Sequence, residues 1–170
     1  MTTLSQRKAN RCALAQHDME QVLKFLTAHS ELSDLQNRFG DSRYFDHCEA
    51  ILMAAVVTYC RSFKASHSKN QADQKLEKED FDFFQQRADL LHLHQLLLER
   101  RDKAIAHADW KFHNTELLSS NEQGGVLRRI SVPDFFSGID INRFRELANE
   151  IRQYCLFTAY DADRLASTHS

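Results

Sequence analysis

The chain is poor in everything that breaks a helix. It has one proline and four glycines in 170 residues, too few for a turn-rich β architecture. It has no Cys-x-x-Cys pair. Cys12, Cys48, Cys60 and Cys155 lie far apart, which excludes the common structural zinc arrangements and predicts small buried hydrophobes in a reducing compartment. The longest apolar run, Ala50 to Val57, falls far short of the roughly 20 residues a membrane helix needs. Charge of one sign is also missing: 22 Lys and Arg stand against 24 Asp and Glu, for a net charge of −2. No global basic field draws nucleic acid to this chain, so any such contact needs a local patch. The first ten residues, Met1 to Asn10, carry no apolar signal-peptide core; together with the thiols this predicts a cytoplasmic protein without a membrane partner.

What is present is helical periodicity. The sequence predicts a single domain over 1–170, mainly α: a four-to-five-helix bundle with a late β-hairpin. A first helix is expected from about Leu4 to His29, with Leu14, Val22, Phe25 and Leu26 as its stripe. A short helical turn is expected after Ser33, ended by Gly40. Asp41 or Ser42 reads as the N-cap of a second helix reaching about Lys64. Its centre, Ala50-Ile-Leu-Met-Ala-Ala-Val-Val57, is apolar on every side and is expected to be fully buried. Ser66 to Lys78 is polar and reads as a loop. A third helical region is expected from Asp80 to Ala108, with Phe81, Phe84, Ala88, Leu91, Leu98 and Ile105 on its apolar spacings. Phe81, Phe83 and Phe84 are expected as core and cap. From about 112 to 132 the period changes to that of a hairpin, Phe112 to Leu118 and Val126 to Val132 around Gly124-Gly125. Asp140 is expected to cap a last helix whose Ile141, Phe144, Leu147, Ala148, Ile151, Cys155 and Thr158 recur at helical spacing.

The chemistry is concentrated in Arg100-Arg101-Asp102-Lys103-Ala104-Ile105-Ala106-His107-Ala108-Asp109-Trp110, directly after Leu96-Leu97-Leu98. Arginine is permanently charged, and histidine titrates near neutrality. A cation beside a general acid/base is what metal-free phosphodiester chemistry requires. On a straight helix Arg100 and His107 fall within roughly 20° of one face, and Arg101 and His107 about 120° apart; a bend or a helix end changes this. The same residues also read as a surface salt-bridge set at a helix end, with His107 as a dipole partner. Arg61, on an otherwise apolar helix, is either exposed at the helix end or paired with Asp102 or Asp109.

Nine histidines raise the question of a metal. His92 and His94 lie about 200° apart on a helix, and no His-Glu-x-x-His or His-x-x-x-His pair occurs, so no metal and no cofactor is expected. His92 and His94 read as interface or partly buried positions among leucines. Glycine-rich phosphate loops and nucleophile elbows are absent from the sequence.

At Arg101-Asp102-Lys103-Ala104-Ile105-Ala106-His107 the chain resembles the HEPN superfamily, helical bundles marked by an Arg-x(4–6)-His motif, here with five intervening residues and Asp102 in the polar position after the arginine. The resemblance implies a homodimer joining two motifs across a two-fold axis and cleaving RNA without metal. In that scheme His107 is the acid/base, Arg101 with Arg100 stabilises phosphate charge, and Asp102 belongs to the catalytic set. Lys103, Lys111, Arg128 and Arg129 are the expected substrate contacts, the last two from a hairpin beside the motif. A toxin-type RNA-processing role with an antitoxin partner follows from the same resemblance. The tyrosine that many such toxins carry two residues after the histidine is Asp109 here, so adenylylation at that position is not implied. The alternative is a non-catalytic module of the same kind that binds a nucleotide or protein partner, its Arg/His cluster purely structural. Leucines on more than one face of Leu90–Leu98 suggest a dimer interface on the motif helix.

Overall fold

A computed structural model describes residues 4–40, 42–64, 75–102, 114–120, 126–131 and 136–167. Helix α1 (Leu4–Phe39) runs unbroken for 36 residues, about 54 Å at the α-helical rise. It does not stop near His29: nothing between Ser30 and Phe39 breaks a helix, and the stop comes at Gly40. There φ is +66°, and the Gly40 N–H bonds the Gln36 carbonyl at 2.8 Å, the left-handed cap glycine supplies without strain.

The buried stripe of α1 is Cys12, Ala15, Met19, Val22 and Leu26, in steps of three and four residues. Leu14, expected in that stripe, is 64% exposed. Helix α2 (Ser42–Arg61) buries Leu52, Ala55, Val56, Tyr59 and Cys60 but leaves Met53 exposed. It is thus buried on one face rather than all round, because α1 covers only one side of it.

The expected helix over Asp80 to Ala108 is several pieces. A 3₁₀ turn at Lys78–Asp80 leads to the short α3 (Phe83–Gln86). Arg87 then leaves helical geometry (φ −120°, ψ 71°) before α4 (Ala88–Arg100). The break resets the helical phase. Consequently Leu90, Leu93, His94 and Leu97 face inward, Leu91 and Leu98 only pack against the core's edge, and Ala88 is exposed. Ile105, the last of the expected stripe, lies outside the described residues.

Helix α5 (Ile141–Ser167) begins as the sequence predicts. Asp140 Oδ1 accepts the N–H groups of Asn142 at 2.8 Å and Arg143 at 3.1 Å, satisfying two donors that a helix start leaves unpaired. Its stripe Phe144, Leu147, Ala148, Ile151 and Cys155 is fully buried.

Helix α1 packs between α2 and α5, and α4 lies against α5 and α2. One apolar core joins all four, sealed by Phe63, Leu76, Phe81 and Phe84. All four cysteines are free and buried. Residue pairings give the directions. Tyr59 meets His94, Cys60 meets Leu97 and Lys64 meets Asp102, so α2 and α4 run parallel. Arg87 meets Glu146 and Arg100 meets Ser137, so α4 and α5 run antiparallel.

The expectation of a hairpin within the fold class is corrected. The packed body is a helical bundle. The segments β1 (Asn114–Ser120) and β2 (Val126–Ser131) pair antiparallel with one another, from Asn114↔Ser131 to Ser120↔Val126 with an irregularity between Leu117 and Ser119. Neither makes an extensive contact with any described helix, so this two-stranded ribbon forms no layer of the architecture. Phe112 and Val132 lie outside the described residues. Among the described residues, no helix is long and apolar enough to cross a membrane.

Candidate functional site

Because α2 and α4 are parallel, their carboxyl ends share one end of the bundle. Helix α2 ends in tightened turns, with the N–H of Ser62 on the Tyr59 carbonyl and that of Phe63 on the Cys60 carbonyl, and presents Lys64. Helix α4 ends at Arg100 and continues as a widened π turn through Arg101 and Asp102, with the Arg101 N–H shared between the carbonyls of Leu97 and Leu98. Wide turns of this kind are frequent at functional sites. The straight-helix offsets for Arg100 and Arg101 do not carry across this turn.

Asp102 is the hub of this end. Its Oδ2 accepts from Lys64 Nζ, and its Oδ1 accepts from Arg101 Nη1 at 3.0 Å. All three side chains are about one-third exposed. Burial pushes the Asp102 carboxyl up, but the hydrogen bonds and charges of Lys64 and Arg101 together outweigh it and hold it below the ordinary carboxylate range. Beneath them Cys60 donates from Sγ to the Leu97 carbonyl at 3.5 Å; burial pushes its thiol up to about 12, so it is no nucleophile. Arg100 turns the other way. Its Nη2 donates to the Ser137 carbonyl at 3.4 Å, and its Nε is buried without a partner.

Of the expected site residues, then, Arg101 and Asp102 stand together and Arg100 is the neighbour directed elsewhere. Lys103, His107 and Lys111 lie outside the described residues, as does Asp109. Arg128 and Arg129 sit on β2 in register with Leu117 and Glu116, on the ribbon that makes no extensive contact with the described helices.

Arg61 stands exposed at the end of α2, one of the two settings expected for it, and its expected pairing with Asp102 is corrected. Arg61 pairs with Asp18 of α1, since the end of α2 lies against α1 before it reaches α4. Asp102 takes Lys64 instead, a residue that no motif or spacing singles out. The only signal was indirect: two helices ending in charged residues, whose relative direction was unknown. His94 is fully buried rather than partly so, with Nδ1 2.8 Å from the Tyr59 hydroxyl, while His92 is exposed.

Among the described residues, no group of three or more His, Cys, Asp or Glu gathers that could hold a metal ion. The comparisons add no relative: no family model, no curated protein and no solved structure matches the chain.

Proposed function

We propose that the chain is a HEPN-like, metal-independent endoribonuclease or toxin-type RNA-processing protein, working as a homodimer. His107 is its acid/base, Arg101 its phosphate-charge stabiliser, Arg100 an auxiliary and Asp102 the residue that orients Arg101. The observation that supports this reading is the convergence of Arg101, Asp102 and Lys64 where α4 leaves regular helix. Two cations there share one carboxylate, leaving excess positive charge at a helix end about one-third exposed, suited to a phosphodiester.

The homodimer in this reading does not rest on the leucines of α4. Leu90, Leu93 and Leu97 are buried in the protomer's own core, and Leu91, Leu96 and Leu98 pack against it, so no second leucine stripe is left over for a partner. An antitoxin partner and a cytoplasmic setting belong to the same proposal.

The test is cleavage of a mixed RNA pool. The wild-type chain should cut it in EDTA and leave an all-deoxy strand intact. His107→Ala should lower the rate by ~10²–10⁴-fold, and Arg101→Lys should fail nearly as badly because a point charge cannot reproduce the guanidinium fork. Intact RNA after incubation with folded wild-type protein removes the enzyme.

In its place stands a non-catalytic binding module for a nucleotide or protein. One observation favours that second reading: Asp102 already engages Arg101 and Lys64, as a purely structural ion cluster would.

A further inference from the structure

Lys64 has a second neighbourhood. Beside the end of α2, between it and α1, lies a groove of about 310 Å³, the lower end of the range for small-ligand sites. Its α1 wall carries Arg11 and Asp18, its α2 wall Arg61 and Lys64, and Leu14 and Ala15 supply its apolar surface. Four cations, counting Arg101 next door, face two carboxylates across this corner, Asp18 and Asp102. That local excess sits on a chain whose net charge is −2.

The hydrogen-bond inventory leaves donors to spare. A guanidinium has five N–H groups. Arg61, 59% exposed, pairs with Asp18 through Nη2. Arg11 donates through Nη1 to the Lys75 carbonyl at 3.0 Å, which fixes its guanidinium at the α1 wall of the groove. Ser62 donates its hydroxyl to Asp18 Oδ2 at 3.4 Å, so Asp18 is the group that holds Arg61 and Ser62 in place. Leu14, 64% exposed, adds apolar surface to this wall beside the charge.

We infer that this groove is a binding site for a phosphate group attached to an apolar or planar moiety, read by the Arg11 and Arg61 guanidinium forks. Paired planar forks match phosphate oxygens, and Lys64 adds a point charge. The site does not depend on the Arg101–His107 chemistry, although Lys64 touches both. The phosphate has two possible sources: a free monoester, or one link of a nucleic-acid strand.

Isothermal titration of the full chain with pyrophosphate, adenosine monophosphate and an all-deoxy octamer distinguishes them. Saturable binding of adenosine monophosphate or the octamer, tighter than that of pyrophosphate, is expected. Tighter binding of the monophosphate than of the octamer assigns the monoester, and the reverse assigns the strand. Tightest binding of pyrophosphate overturns the apolar or planar moiety. Leu14→Glu should weaken that binding about tenfold, because it sets a carboxylate in the groove. Its exposed position leaves the fold intact, as circular dichroism would verify. Asp18→Asn should tighten binding several-fold by removing a negative charge from the groove while its amide oxygen still accepts from Arg61, a gain that damage to the fold cannot mimic. No saturable binding of any probe at millimolar concentration, or binding indifferent to both substitutions, overturns the assignment. Failure of RNA cleavage would leave the groove's affinity and its response to both substitutions standing, which separates failure of this site from failure of the ribonuclease reading.

Discussion

The Tyr59 hydroxyl and Nδ1 of His94 are 2.8 Å apart in a part of the core walled by the rings of Phe63 and Phe84. Burial pushes the tyrosine well above its ordinary value, so the hydroxyl keeps its proton beside the imidazole, and the ring's tautomer sets which of the two donates. Burial is also the largest cause that lowers the His94 imidazole to about 4, with Lys78 and Lys64 adding to it. A neutral histidine thus serves as a hydrogen-bond partner inside an apolar core.

Acid should therefore unfold the protein through His94. Between about pH 6.5 and about pH 4 the unfolded chain protonates this residue and the native one does not. The stability it allows is fully present above the unfolded value and is lost as pH falls towards the folded one. The loss approaches ~3 kcal/mol. Urea midpoints at pH 7, 6, 5 and 4 should fall accordingly, and the double variant Tyr59→Phe/His94→Leu should flatten the fall. An equally steep fall in that variant would assign the acid sensitivity elsewhere.

Tyr59→Phe alone should cost about 1–3 kcal/mol, because it leaves a buried ring nitrogen without its partner. Adding His94→Leu should recover part of that loss, since both polar partners are then gone. The check is a double-mutant cycle by urea denaturation at pH 7, and additive losses would mean that the pair is not coupled.

Asp140→Ala should destabilise the protein by about 1 kcal/mol. It removes the two hydrogen bonds that begin α5. Asp140→Asn or Asp140→Ser should restore most of it. A drop in thermal midpoint for alanine that serine does not repair would show that the residue acts through its charge alone.

In the native protein none of Cys12, Cys48, Cys60 and Cys155 should react quickly with a thiol reagent. All four are buried, and Cys60 is held up to about 12, where thiolate is scarce. Four equivalents should react in denaturant. Rapid native labelling of Cys60 would mean that the joint between α2 and α4 opens easily.

Lys64→Met should lower stability by no more than ~1 kcal/mol, since the pair with Asp102 is one-third exposed. If Asp102 orients Arg101 for catalysis, the same substitution should still change RNA cleavage, by altering how firmly the carboxylate is held. Unchanged cleavage with unchanged stability would make Lys64 a bystander at the motif.

Local signals in the sequence were legible where local physics decides. The Asp140 cap, the repeat from Phe144 to Cys155 and the inward-facing Phe81 and Phe84 each follow from side-chain type and spacing. The break at Arg87 was not legible, because no glycine or proline marks it. Its N–H bonds the Phe83 carbonyl while its guanidinium is gripped by Asp89 and by Glu146 of α5, a partner fixed only by tertiary packing. The exposure of Leu14 and Met53 escaped for a similar reason: apolarity marks a face as able to be buried, and the number of neighbouring helices settles whether it is. At the candidate site the cluster of charge was readable, but the pairings Arg61–Asp18 and Lys64–Asp102 depend on helix directions that no spacing encodes.

Helix α1 finds its most extensive partner in α5, at the far end of the chain. A ribosome delivers the two more than a hundred residues apart. Until Phe144, Leu147 and Ile151 emerge, Met19, Val22 and Leu26 lack one wall of their core. The bundle therefore closes late in synthesis, as a non-local pairing must, and a chain cut short before Ile141 would present that apolar stripe to whatever chaperone or protease is nearest.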